Sequence, residues 1–125
     1  MQPNVENKKV LFIDDEKMVL EVGSLMLDKL GYTAFTSTNC HTAIEILKEN
    51  KVALVILDLR MPDMNSVDIY HLLKNIQPNI KVLITSGYFG NRSEEELSSI
   101  GFDGFLQKPF NFKQLSGKIK NMLEN

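Results

Sequence analysis

Val52-Ala-Leu-Val-Ile-Leu-Asp58-Leu-Arg-Met-Pro62-Asp-Met64 is the stretch whose reading decides the fold. Val52 to Leu57 is an apolar run with no polar alternation, the pattern of a strand buried on both faces inside a parallel sheet. The run ends on Asp58, and Pro62 blocks continuation of regular structure soon after. A carboxylate therefore sits where a central strand leaves the core, the edge at which parallel α/β sheets place their ligands. Taken alone, Asp58 reads equally well as the cap of a following helix. The rest of the chain separates the two.

Before this stretch, Lys9 to Ile13 is a second apolar run, ending abruptly at Asp14-Asp15-Glu16. Glu16 to Leu30 reads as a helix with Met18, Val22, Leu25 and Met26 on its inward face, stopped by Gly31. Tyr32 to Thr36 reads as a short edge strand. Asn39 caps a helix over Cys40 to Lys48 that turns Ala43, Ile44 and Leu47 inward. After the central strand, Ser66 to Ile76 carries Ile69, Leu72, Leu73 and Ile76 at helical spacing, ended by Gln77-Pro78. Lys81 to Ser86 is a fourth strand. Ser93 to Glu96 has the spacing of a capping box, opening a short helix that Gly101 stops. Phe102 to Gln107 is a fifth strand ended by Lys108-Pro109, and Asn111 caps a last helix burying Phe112, Leu115, Ile119 and Met122. The methionines at 18, 26 and 122 read as core fillers. Strict alternation of five strands and five helices implies an α/β fold, a parallel sheet with helices on both faces.

The chain has 125 residues, 43% hydrophobic and 24% charged, as expected of one globular domain. A net charge of −2 argues against direct nucleic-acid binding. No apolar run approaches the roughly 20 residues that span a bilayer, and Met1 to Lys9 lacks the apolar segment of a signal peptide. Cys40 is the single cysteine, so no intrachain disulfide forms, and a cytoplasmic location without membrane contact is the expectation.

In a parallel sheet every strand's carboxyl end lies on one edge. Topology then gathers Asp14 and Asp15, Asp58, Ser86 and Lys108 into one cleft. Three clustered carboxylates repel one another, which a divalent cation relieves. An all-oxygen site with few carboxylates suits Mg²⁺, while zinc is disfavoured because His41, His71 and Cys40 fall on helices away from this edge. A carboxylate beside a metal, a lysine and a hydroxyl is what aspartyl phosphorylation requires.

Four motifs stand on these strand ends: Asp14-Asp15-Glu16, Asp58-Leu-Arg-Met-Pro-Asp-Met64, Thr85-Ser86-Gly87-Tyr88 and Phe105-Leu-Gln-Lys108-Pro109-Phe110. In this order they closely resemble the receiver domain of two-component response regulators. The resemblance spans 9–125, leaving 1–8 as an N-terminal extension, and implies a flavodoxin-like doubly wound five-stranded sheet in the order 2-1-3-4-5.

By the resemblance, Asp58 is the phosphoacceptor, receiving its phosphoryl group from a histidine kinase or histidine phosphotransfer protein. Asp15, Asp58 and the Arg60 backbone carbonyl ligate Mg²⁺, with Asp14 acting largely through water, and Lys108 pairs with the phosphoryl group. Ser86 and Phe105 form a switch pair whose change reaches a downstream protein through the fourth helix, fifth strand and fifth helix. The Lys108-Pro109 bond is expected to be cis. Arg60 and Tyr88 flank the path of hydrolytic water and are expected to slow loss of phosphate. The resemblance also implies a phosphoacceptor switch rather than an enzyme.

The Ser86-Gly87-Tyr88 form is similar to that of receivers attached to hybrid histidine kinases. A stand-alone receiver and one excised from a larger protein both remain open. Ser66 and Cys40 depart from the family, which often has glycine at these positions. A degenerate binding module would lack an acid, hydroxyl or lysine, and none is missing. A phosphatase using Asp58 would need a second aspartate where Arg60 stands.

Overall fold

The computed structural model describes residues 8–87 and 94–124. The extension over 1–8 therefore lies outside the described residues except for Lys8, as do Tyr88 and Ser93 of the expected capping box. Five strands and five helices alternate: β1 Lys9–Ile13, α1 Lys17–Lys29, β2 Thr33–Ser37, α2 Cys40–Glu49, β3 Leu54–Asp58, α3 Ser66–Ile76, β4 Lys81–Ser86, α4 Glu94–Ile100, β5 Gly104–Gln107 and α5 Phe112–Leu123. All strand pairs are parallel, in the order β2-β1-β3-β4-β5. β3 lies in the middle, and every one of its residues is buried. Its unbroken apolar run is the consequence of burial on both faces.

The sheet separates two apolar layers. Leu11, Val55, Leu57, Val82 and Ile84 face α2, α3 and α4, while Val10, Phe12, Leu54, Ile56 and Leu83 face α1 and α5. Alternate residues of each strand serve opposite layers, as a pleated strand requires.

Two strands start later than the sequence pattern suggests, each because a backbone N–H is used elsewhere. Val52 donates to Gln77 Oε1, whose amide also caps α2 by donating to the Leu47 and Asn50 carbonyls. Phe102 donates to Leu97 O and so closes the last turn of α4 before β5 begins.

The inward face expected for α1 is corrected. Met18, Val22 and Leu25 are 75%, 48% and 71% exposed, and the buried residues are Leu20, Gly23 and Leu27. Gly23 is the reason: a Cβ there would overlap the Phe12 ring, so the helix lies on β1 through its glycine and turns its long apolar side chains outward. Met26 is half-buried against the same layer and Met122 is buried, so of the three methionines only Met18 fails as a core filler. Leu72 of α3 is also partly exposed.

Candidate functional site

The carboxyl ends of β1, β3, β4 and β5 meet on one edge because the strands are parallel and in register. Ile13 pairs with Leu57, Asp58 with Thr85 and Ser86 with Gln107. The loops leaving this edge are held by backbone bonds across strands. Leu59 N–H donates to Thr85 O and Lys108 N–H to Ser86 O. Asp14, Asp58 and Ser86 are buried at the floor, with Asp15 and Glu16 exposed at the rim. Asp15, Glu16, Val19, Asp58, Arg60, Ser86, Gly87, Lys108 and Pro109 line the resulting cavity.

Lys108 is the hub. Its Nζ stands 2.9 Å from Asp14 Oδ2, 3.4 Å from Asp58 Oδ2 and 3.5 Å from Glu16 Oε1. Burial pulls the Lys108 pKa down, but the hydrogen bond and charge of Asp14, then Asp58 and Glu16, outweigh it and leave the ammonium raised. Asp58 is raised as well, first by burial and then by the Asp14 charge. Lys108 and the Arg60 backbone N–H oppose that shift without cancelling it. The Lys108-Pro109 peptide bond is cis, as the resemblance implied.

The fit of this floor to a hard cation follows from its donors. Asp14, Asp15 and Asp58 each present a carboxylate oxygen, all within 4.8 Å of one another. Such a set is all-oxygen and leaves room for water and a phosphoryl group, as Mg²⁺ requires. His41 and His71 are exposed on α2 and α3 and add no nitrogen ligand to this group.

Phe105 stands two residues before Ser86's partner along β5 and pairs with Ile84, half-buried against the layer that holds Leu97. Arg60 is exposed at the cavity wall. Tyr88 lies outside the described residues.

The two departures from the family pattern cause no backbone strain: Ser66 is the first residue of α3, Cys40 the first of α2, and neither has a positive φ. Sequence reasoning missed two contacts. Glu16 adds a third carboxylate to Lys108, a role its place in the acidic run could have signalled. Asp63 reaches from the β3–α3 loop to α2, where it accepts a hydrogen bond from Cys40 N–H, and no sequence spacing announces that.

The family model described as the response regulator receiver domain matches residues 10–120. Sensor kinase CckA of Brucella abortus is 35% identical over 117 residues, covering 92% of this chain but 12% of that protein. An autoinducer 1 sensor kinase/phosphatase, LuxN of Vibrio campbellii, is 29% identical, with 98% of this chain covering 14% of its length. Sporulation initiation phosphotransferase F of Bacillus subtilis is 28% identical, with 94% of each chain covered. The chain thus spans a small fraction of these two kinases and nearly all of the phosphotransferase. Among solved structures, a response regulator receiver domain protein of Clostridium thermocellum superposes with a TM-score of 0.85 at 28% identity, covering 94% of each chain. With the sheet order, the acidic floor and the lysine after β5 all in place, this chain belongs to the response regulator receiver domain family.

Proposed function

We propose that Asp58 accepts a phosphoryl group from a phosphohistidine on a kinase or phosphotransfer protein, and that the change is passed on through the α4–β5–α5 face. The observation that carries this reading is the Lys108 ammonium lying 3.4 Å from the Asp58 carboxylate in a cleft that also holds Ser86. An Asp58 oxygen attacks phosphorus, the P–N bond to the donor imidazole breaks, and the imidazole leaves and takes up a proton. Lys108 neutralises the transferring oxygens and Ser86 hydrogen-bonds one of them. Asp14, Asp15, Asp58 and the Arg60 carbonyl would hold Mg²⁺, and the chemistry it supplies there is further charge neutralisation.

The protein donor is taken to dock over α1. This helix begins at the rim of the cleft, where Glu16 and Val19 line the cavity, and continues as the exposed stripe of Met18, Val22 and Leu25. Hydrolysis of the product is slow in this reading, because Arg60 offers a water molecule no acceptor atom for its proton.

Acetyl phosphate with Mg²⁺ is expected to add one phosphoryl mass to the wild type and none to Asp58→Asn, with decay faster in Arg60→Asn. An unchanged wild-type mass would sink the proposal.

A further inference from the structure

The β3–α3 loop has to hold the Arg60 carbonyl in place, yet Arg60, Pro62 and Asp63 are all exposed. Its first end is fixed by Asp58, whose Oδ1 accepts from Arg60 N–H at 3.4 Å. Its last end is fixed by Asn65, whose side chain caps α3 by accepting from Val67 N–H at 2.8 Å. Between them Met61 is buried in the layer under α3, and the Pro62 ring stiffens the backbone.

A further anchor is Asp63. Its Oδ2 accepts from Cys40 N–H at 2.9 Å, across 23 residues of sequence. Cys40 is the first residue of α2, whose first turn contains no acidic residue of its own. Its N–H is one of the donors a helix leaves without an internal partner, and a carboxylate is favoured there by the helix dipole. Asn39 already satisfies Thr42 N–H, so the two caps divide the end of α2 between them. The Cys40 thiol is buried against the same carboxylate, and burial, then the Asp63 charge and hydrogen bond, push it up to about 12.

We propose that Asp63 is a positioning residue for the phosphoacceptor loop: by bonding the first N–H of α2 it fixes the Arg60 carbonyl for the metal and couples metal binding to the packing of Cys40. The proposal rests on the Mg²⁺ site of the function proposed above but not on phosphoryl acceptance.

Mg²⁺ is titrated calorimetrically into the wild type, Asp63→Ala and Asp63→Asn. Asp63→Ala is expected to weaken binding about tenfold, the size typical of losing a group that orients a metal ligand. Asp63→Asn should lose much less, since its amide oxygen can still accept from Cys40 N–H. Cys40, the chain's single cysteine, reports the other end of the contact. A thiol reagent should modify it faster in Asp63→Ala. Mg²⁺ should slow that modification in the wild type but not in Asp63→Ala, because coupling between sites is reciprocal.

Cys40→Pro breaks the same bond from the donor side without altering the loop. Proline is tolerated at a helix's first position, and Asn39 already has the extended backbone that proline demands of its neighbour. It should weaken Mg²⁺ binding as Asp63→Ala does, and it decides the matter if Asp63→Ala does not fold. Equal Mg²⁺ affinity in all variants overturns the proposal. So does faster thiol modification with unchanged affinity, which would make Asp63 a cap for α2 and nothing more. A wild type that binds Mg²⁺ as described but accepts no phosphoryl group would refute the function and leave this inference standing.

Discussion

Asp58 is held in a state that the fold alone would not choose. It is buried, and burial together with the Asp14 charge raises its pKa more than Lys108 and the Arg60 N–H lower it. Between its ordinary value and the raised one, the folded chain binds more protons at this group than the unfolded chain does. Stability contributed by Asp58 therefore rises as pH falls through the raised pKa, and the full penalty is present above it. Asp58→Asn imitates the protonated form. It is expected to stabilise the protein at neutral pH by about 1 kcal/mol, the low end of what burying an incompletely compensated polar group costs. The gain should fade as pH falls through the raised value toward the ordinary one, below which the Asp58 carboxyl is neutral in both the folded and the unfolded chain. Urea denaturation of the two proteins across this range checks the sign. A variant less stable than wild type at neutral pH would show that the attraction of Lys108 outweighs burial.

At the scale of single elements, α1 shows most clearly what side-chain pattern does and does not decide. The apolar residues Met18, Val22 and Leu25 lie at helical spacing, and reading them as the core face follows the usual rule. Gly23 overrides it, because contact between helix and sheet is made where no side chain intervenes and Phe12 fills the space. The helix that carries this exposed stripe starts at the cleft, where Val19 lines the cavity. Leu25→Glu together with Met18→Glu is expected to leave the rate with acetyl phosphate unchanged. Transfer from whichever phosphorylated histidine phosphotransfer protein reacts fastest with the wild type should fall by about tenfold or more, as when apolar anchors are removed from an interface. Equal losses with both donors would place the defect in the chemistry instead.

The same contrast explains how much could be read beforehand. The strands were legible because doubly buried strands must be continuous apolar runs, and the cleft was legible because parallel topology collects strand ends. The capping box of α5, where Asn111 and Gln114 bond each other's backbone N–H groups, was only half visible, as an asparagine before an apolar pattern. Contacts such as Asp63 to Cys40 depend on how two loops lie in space. Nothing in the local sequence encodes them.

For the whole molecule, a change at the cleft must be taken up by elements fixed at their far ends. The turn from α4 to β5 lies on the sheet edge opposite the cleft and is anchored from three directions. Tyr70 of α3 donates its hydroxyl proton to the Gly101 carbonyl at 3.1 Å and packs edge-on to Phe102, with ring centroids 5.0 Å apart. Asp103 extends the sheet past its last strand pair: its side chain accepts from Val82 N–H and its own N–H donates to Val82 O, both at 2.9 Å. Leu97 and Phe102 are buried beneath. In the switch proposed above, movement of α4 is therefore expected to be largest toward the cleft and to die out at this turn.

Gly101 makes the anchor testable, because it is required twice. Its φ of +125° strains any other residue, and a Cβ would overlap the Tyr70 hydroxyl and ring. Tyr70→Phe should cost about 1 kcal/mol, the worth of one hydrogen bond, and speed amide exchange at Phe102. Gly101→Ala should cost more, since strain and overlap act together. The two losses should not add. With the hydroxyl gone, part of the overlap disappears, so Gly101→Ala is expected to cost less in the Tyr70→Phe background than in the wild type, while the strain from φ persists. Denaturation of the two single variants and the double variant measures this coupling, and strictly additive losses would mean that Tyr70 and Gly101 do not hold the turn as a pair.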